Sequence, residues 1–221
     1  KLDVSSLRGM LPRGGTLLGT RRGSPYDHPN GVEEVQATFR DMELDALLVL
    51  GGNGSLSVAC KLFHDAGLPI IGVPKTIDND IQATATSFGF DSAVATVVDA
   101  LDRLHTTAES HKRVIVLEVM GRHAGWIALY GGMAGGADVI LLPEIPFHLD
   151  HVAKAIRKRD AAGRHSTLVV ALKAFAGPTG TAGAGGIVAT NYIYNLGTKD
   201  GLTIGQLQNT LPLEPLEQNQ M

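Results

Sequence analysis

Five short apolar runs, separated by stretches of helical periodicity, run through the chain as far as Ala171, and few architectures accommodate that order. Ala46 to Leu50, Ile70 to Val73, Val114 to Val119, Val139 to Leu142 and Thr167 to Ala171 are, Glu118 and Thr167 apart, apolar at consecutive positions, not alternate ones. A strand that buries one face alternates; a strand buried on both faces does not. Between the first two runs, Leu56, Ala59, Cys60 and Phe63 predict a helix with Ser55 as its N-cap, stopped by Gly67 and Pro69. Val94, Val97, Val98, Leu101 and Leu104 predict a long amphipathic helix, with Asp99, Asp102 and Arg103 toward water. Further helices are expected at about 123–135 and 149–162. The order implies an α/β fold, a mostly parallel sheet with helices on both faces. The domain is expected to span 1–176. From Gly177 the composition turns to that of a linker, and 177–221 reads as a Gly-rich, irregular tail.

Composition removes several function classes. A net charge of -3, with only short basic clusters, gives no nucleic-acid footprint. No apolar run approaches the ~18 residues that a membrane span needs. The single cysteine, Cys60, rules out an intrachain disulfide and fits a reducing, cytoplasmic setting; its place on an apolar stripe predicts a buried thiol. The start at Lys1, with no methionine, suggests a chain that begins partway through a gene product.

In such sheets ligands sit beyond the carboxyl ends of the strands, and three polar loops lie there. Gly51-Gly52-Asn53-Gly54-Ser55, between strand and helix, has the form of a phosphate cradle, since glycines admit close approach and the helix start offers free N–H groups. A glycine used simply to turn the chain is the competing reading. Lys75-Thr76-Ile77-Asp78-Asn79-Asp80 sets two carboxylates two residues apart below a lysine. On an extended segment both would face one cleft, one to take a proton from an attacking hydroxyl, the other to orient it or hold a metal shell, while Lys75 stabilises phosphate charge. A structural turn built by Asn and Asp is the plain alternative. In Met120-Gly121-Arg122-His123, Arg122 could bind a sugar phosphate bidentately, or be a surface arginine at a helix start. Arg113 opens the same strand and so lies at the end opposite Arg122; it serves the surface or a neighbouring subunit. Arg21-Arg22-Gly23 could meet nucleotide phosphates or be a solvated loop. His105, His111 and His123 lack metal-site spacing and read as ordinary histidines.

Pro74-Lys75-Thr76-Ile77-Asp78-Asn79-Asp80, Ser110-His111-Lys112-Arg113, Met120-Gly121-Arg122-His123-Ala124-Gly125-Trp126 and Pro143-Glu144, in this order, resemble the phosphofructokinase family from about Gly14 to Ala171. The resemblance implies phosphoryl transfer to the 1-hydroxyl of fructose 6-phosphate, in glycolysis, by a Mg2+-dependent, cytoplasmic homo-oligomer. It implies Asp78 as general base, with Asp80 and Lys75 completing the catalytic set. Thr76, Ile77, Asp78, Met120, Gly121 and Arg122 would hold the sugar phosphate, and Arg113 would reach the adjacent subunit's site. Arg22, Gly23, Gly52, Asn53, Gly54 and Ser55 would contact the donor. Gly54 resembles the ATP users, since a bulkier acidic residue there blocks the nucleotide phosphate. Lys75 is similar to pyrophosphate users and to one ATP-using branch. ATP is therefore the expected donor and pyrophosphate the alternative.

The chain departs from the family in three ways. Asn53 stands where the family carries an acid for Mg2+, giving the cation an oxygen but no charge. The family's first strand and glycine-rich loop would precede Lys1. The strand at Val169-Val170-Ala171 continues into Leu172-Lys173 where Glu-Gly-Ala is expected, so a sugar-binding carboxylate is missing and the second sugar-binding half does not follow. A catalytically impaired sugar-phosphate-binding pseudoenzyme or fragment is the competing expectation.

Overall fold

The structure, a computed structural model, describes Ser5, residues 7–172 and residues 205–206. The chain divides into two compact units, Lys1–Val49 with Ser57–Gly72 and Leu50–Leu56 with Val73–Met221.

In the first unit a short 3-10 turn, Pro25–Asp27, is closed by a capping box: Tyr26 N–H donates to Ser24 Oγ at 3.2 Å and Ser24 N–H to Asp27 Oδ2 at 2.7 Å. Helix α1, Gly31–Asp41, follows. It starts at a glycine because a Cβ there would sit 2.1 Å from the Pro25 carbonyl oxygen. The strand β1 (Leu47–Gly51), the helix α2 (Asn53–Ala66) and the strand β2 (Ile70–Pro74) come next, and β1 pairs with β2 in a two-stranded sheet. Gln36 Nε2 donates to the Ala66 carbonyl at 2.9 Å, and the Tyr26 hydroxyl donates to Asp65 at 3.2 Å. Both bonds tie the carboxyl end of α2 to the segment before it.

The second unit holds α3 (Phe90–His111), β3 (Val114–Val119), α4 (Trp126–Ala134), β4 (Val139–Leu141), α5 (Leu149–Ala161), β5 (Thr167–Leu172) and the two-residue strand β6 (Gly205–Gln206). Its sheet runs β4-β5-β3-β6, all parallel, with Val116 opposite Val169 in the register of the central pair. Consecutive apolar residues divide between two cores, as the sequence pattern requires. Ile115, Leu117, Val119, Leu168 and Val170 face α3 and α4, where Leu101, Leu104 and Ile127 complete one core. Val114, Val169 and Ala171 face α5, where Val152 and Ile156 complete the other. Glycines let α4 lie close between its neighbours: a Cβ on Gly131 would fall 2.6 Å from Val97 Cγ1, and one on Gly132 2.8 Å from Ile140 Cδ1.

A polar knot closes the amino-terminal edge of this sheet. Asp138, just before β4, accepts from the Leu168 N–H at 2.9 Å and pairs with Arg159 of α5 at 2.6 Å. Arg159 also reaches the Thr167 hydroxyl at 3.4 Å and the Ser166 carbonyl at 3.3 Å. Thr167 is fully buried, so its hydroxyl needs that partner.

Three local expectations change. Helix α2 starts at Asn53, which places Ser55 inside the first turn and not at the cap. A Cβ on Gly51 would lie 2.4 Å from Ser55 Cβ, so the helix folds back onto the strand end before Ser55 is reached. Cys60 is exposed; the buried face of α2 runs through Ala59 and Leu62, one residue round from the expected stripe, and Phe63 is exposed too. Helix α4 begins at Trp126, after a turn in which the Ala124 N–H bonds the Gly121 carbonyl at 2.9 Å. The stretch expected to be irregular lies outside the described residues, except that Gly205–Gln206 forms β6 beside β3. Leu172 closes β5, and the residues after it lie outside the description.

Candidate active site

In the second unit three loops converge, each leaving a strand or entering a helix. The Lys75 N–H donates to the Gly51 carbonyl at 2.9 Å, which joins the end of β1 to the start of the Lys75–Asp80 loop. Gly52 lies against Thr76: a Cβ there would stand 3.6 Å from Thr76 Cβ. Asn53 Nδ2 donates to the Asp80 carbonyl at 3.4 Å. Gly54 faces open space, with nothing within 4 Å of where a Cβ would be. Lys75 is exposed, and so is Ser55.

The Asp78–Asp80 segment is not extended, which corrects the reason for expecting both carboxylates on one side. Asn79 sits in the left-handed region, φ 52°, and turns the chain between them. The Asp78 N–H donates to Thr76 Oγ1 at 3.2 Å. Burial raises the pKa of Asp78 above that of an ordinary carboxylate, and the Asp80 carboxylate adds to the rise. The Arg122 guanidinium and a hydrogen bond from Thr76 oppose it without cancelling it. Asp78 therefore interacts electrostatically with both Asp80 and Arg122.

Asn79 is a positioning residue that the sequence reading left as a turn former. Its Oδ1 accepts from the Ser87 N–H at 2.9 Å and lies 3.3 Å from the Ser87 hydroxyl, which donates to the Thr76 carbonyl at 2.8 Å. Ser87 is 2% exposed. The loop is thus stapled across its base by a buried serine. Ser87 precedes α3 with no motif to mark it, so only the Asn-for-turn tendency hinted at the clamp.

Ile77 packs its side chain against the core beside α3, so only its backbone is left to face a ligand. Met120 is exposed at the end of β3, followed by Gly121 at φ 149° and Arg122 at φ 59°, which turn the chain into α4. Arg113 is half-buried at the opposite end of β3, where its carbonyl accepts from the Thr167 N–H at 3.1 Å. Arg22 and Gly23 belong to the first unit and are exposed. That unit holds a cavity of about 670 Å³ lined by Arg21, Gly23, Val35, Phe39, Met42 and Leu47 among others, mostly apolar and without paired carboxylates.

Asn53 offers a cation one neutral oxygen, and among the described residues no cluster of three or more His, Cys, Asp or Glu side chains could hold a metal ion. The described residues do not build a protein-only Mg2+ cage. Among them no helix is long and apolar enough to cross a membrane.

The phosphofructokinase family model matches residues 1–207. The chain is 49% identical over 181 residues to an ATP-dependent 6-phosphofructokinase of Streptomyces coelicolor, covering 82% of this chain and 53% of that protein. It is 50% identical over 170 residues to a pyrophosphate–fructose 6-phosphate 1-phosphotransferase of the same organism, covering 77% and 50%. Among solved structures, it resembles the phosphofructokinase of Pichia pastoris with a TM-score of 0.77 at 28% identity, over 93% of this chain and 23% of that one. The pyrophosphate-dependent phosphofructokinase of Marinobacter aquaeolei aligns with a TM-score of 0.69 at 27% identity, over 93% and 53%. The chain spans about half the length of the curated relatives it matches.

Proposed function

From the premise that this chain belongs to the phosphofructokinase family, we propose that it carries the donor side and the base of a 6-phosphofructokinase site, with ATP as donor. The observation that carries this reading is Asp78, a partly buried carboxylate in the hydrogen-bonded loop that follows β2, whose pKa burial and Asp80 raise and Arg122 and Thr76 lower in part. The 1-hydroxyl oxygen of fructose 6-phosphate attacks the terminal phosphorus of the donor. Its proton passes to the Asp78 carboxylate as the new P–O bond forms and the bond to the leaving phosphate breaks. A carboxylate pushed toward neutrality is a better proton acceptor than an ordinary one. Lys75 offsets charge on the phosphoryl oxygens, and Arg122 holds the sugar phosphate, with the backbone of Gly121 and Met120 beside it. Thr76 braces Asp78 through the hydrogen bond to its N–H.

The loop Gly52-Asn53-Gly54-Ser55 at the start of α2 receives the donor phosphates. The open space over Gly54 supports ATP. The relative that uses pyrophosphate, and Lys75, support the second donor as the alternative. Mg2+, neutralising phosphate charge, would arrive with the donor, because the described residues supply no cage of their own. The functional unit is a cytoplasmic homo-oligomer in which Arg113 reaches the neighbouring sugar phosphate.

The test gives the purified chain fructose 6-phosphate and Mg2+ with ATP or pyrophosphate in parallel, and detects fructose 1,6-bisphosphate directly. Product with ATP supports the reading, and product with pyrophosphate alone moves it to the alternative. Binding of fructose 6-phosphate without product leaves a sugar-phosphate-binding fragment or pseudoenzyme. Neither binding nor product overturns it.

A further inference from the structure

Glu144, in the turn soon after β4, has no part in the chemistry above, yet its carboxylate reaches 19 residues back along the chain. Oε1 accepts from the Gly125 N–H at 2.7 Å. Gly125 is the residue before α4, so this N–H is one of the donors that a helix start leaves without an intrahelical partner, and a negative group there is favourable. The fit is close. A Cβ on Gly125 would stand 2.6 Å from Glu144 Oε2, 2.9 Å from Leu142 Cδ2 and 3.0 Å from Pro143 Cδ, so only glycine lets the 142–144 segment lie against this point.

A second observation lies three residues upstream. Arg122 adopts φ 59°, a left-handed conformation that a residue with a long side chain holds only when its surroundings over-determine it. Its turn is closed by the bond from the Ala124 N–H to the Gly121 carbonyl at 2.9 Å. Upstream the turn is fixed by β3, and downstream its fixed point is Gly125 under Glu144. We propose that Glu144 is the positioning residue for Arg122, the carboxylate anchoring the far end of the turn that aims the guanidinium at the site. The consequence for ligand binding rests on the reading of Arg122 as the sugar-phosphate ligand; the positioning itself does not.

The experiment uses the full 221-residue chain, 13C,15N-labelled, and follows the Arg122 Nε–H, assigned by its loss in Arg122→Lys, and the Arg122 backbone amide, assigned by sequential through-bond connectivity. In Glu144→Ala both Arg122 signals should shift and lose order, while Glu144→Gln, which keeps an acceptor oxygen, should restore them. If Glu144→Ala does not fold, Glu144→Asp, which withdraws the carboxylate by one methylene, must produce the same response. Unchanged Arg122 signals in whichever of the two folds overturn the proposal, even if its melting temperature falls. Fructose 6-phosphate affinity is read alongside. Glu144→Ala should weaken it about tenfold or more, Glu144→Gln should stay within about threefold, and Arg122→Ala with Glu144→Ala should bind no worse than Arg122→Ala alone. Additive losses in that double variant overturn the proposal, because Glu144 would then act elsewhere. If the wild type does not bind the sugar phosphate while the Arg122 signals respond to Glu144, the functional reading fails and the positioning stands.

Discussion

Replacing Asn79 by alanine tests whether the Asp78–Asp80 loop is clamped as its hydrogen bonds indicate. Two effects add. Alanine lacks the acceptor for the Ser87 N–H, which lies 2.9 Å from Asn79 Oδ1 in a residue 2% exposed, too buried for water to take over. Leaving such a donor without a partner costs about 1–3 kcal/mol. The Ser87 hydroxyl is less affected, because it keeps the Thr76 carbonyl at 2.8 Å. Alanine must also adopt φ 52°, where a side chain without local hydrogen bonds costs about 1–2 kcal/mol. The sum is about 2–5 kcal/mol, a large part of the ~5–15 kcal/mol that holds a typical domain together. Urea unfolding, followed by the fluorescence of Trp126 and by far-ultraviolet circular dichroism, reads it as a fall in midpoint at constant slope. Asn79→Asp is the control: it keeps an acceptor and the tolerance for left-handed backbone, but adds a third carboxylate beside Asp78 and Asp80. Its cost should be small in acid and grow as pH rises past ~4, where aspartates ionise. An alanine variant within ~1 kcal/mol of wild type would refute the clamp, since even the lower bound of the unpaired donor would be missing.

Asp78→Asn should abolish turnover while leaving fructose 6-phosphate binding largely intact, as isothermal titration would show; loss of binding as well would make Asp78 structural. The same variant carries a pH signature. The pKa of Asp78 is raised in the folded state, so its protonation favours the fold below 3.8, and that contribution is lost as pH rises through the folded value. Asp78→Asn should therefore gain melting temperature relative to wild type on going from pH 3 to pH 7. A constant difference would deny the shift. Leu101→Ala, at a side chain 0% exposed, should cost about 2–5 kcal/mol in chemical unfolding. Gly131→Ala, with its Cβ forced to 2.6 Å from Val97 Cγ1, should cost about 1–3 kcal/mol by pushing α4 off α3. Asn53→Asp should raise Mg2+-dependent turnover if the donor loop is a weakened kinase site, and should change nothing in a protein that only binds.

The sheet of the second unit was legible because β3, β4 and β5 are apolar at nearly every position, Glu118 and Thr167 apart. β3 runs over Val114–Val119 as the apolar run does, and a strand explains why neighbours divide between two cores, Ile115, Leu117 and Val119 in one, Val114 and Val116 in the other. The starts of helices were less legible because they are set by long-range contacts. Ser55 looks like a cap in sequence, but Gly51 packs on it and α2 begins at Asn53. The face of α2 was misjudged by one residue, about 100° on a helix, which is enough to expose Cys60. The polar residues of the loops were visible from their types and order, and Asp80 and Arg122 both act electrostatically on Asp78. Their supports were not: Ser87 and Glu144 act from 8 and 19 residues away in the chain, distances that no local period encodes.

The knot of Asp138, Arg159, Thr167 and the Leu168 N–H binds the four-stranded sheet at the edge where its strands begin, whereas the turn that carries Arg122 leaves the edge where β3 ends. Cohesion and the proposed sugar-phosphate contact thereby fall on opposite rims of this sheet. A change at the Arg122 turn need not loosen the rim that keeps the strands in register. The same separation gives the fold room to drift: a lineage can exchange Asn53 for an acid, or lose one phosphate contact, and still inherit a folded protein on which selection can act again.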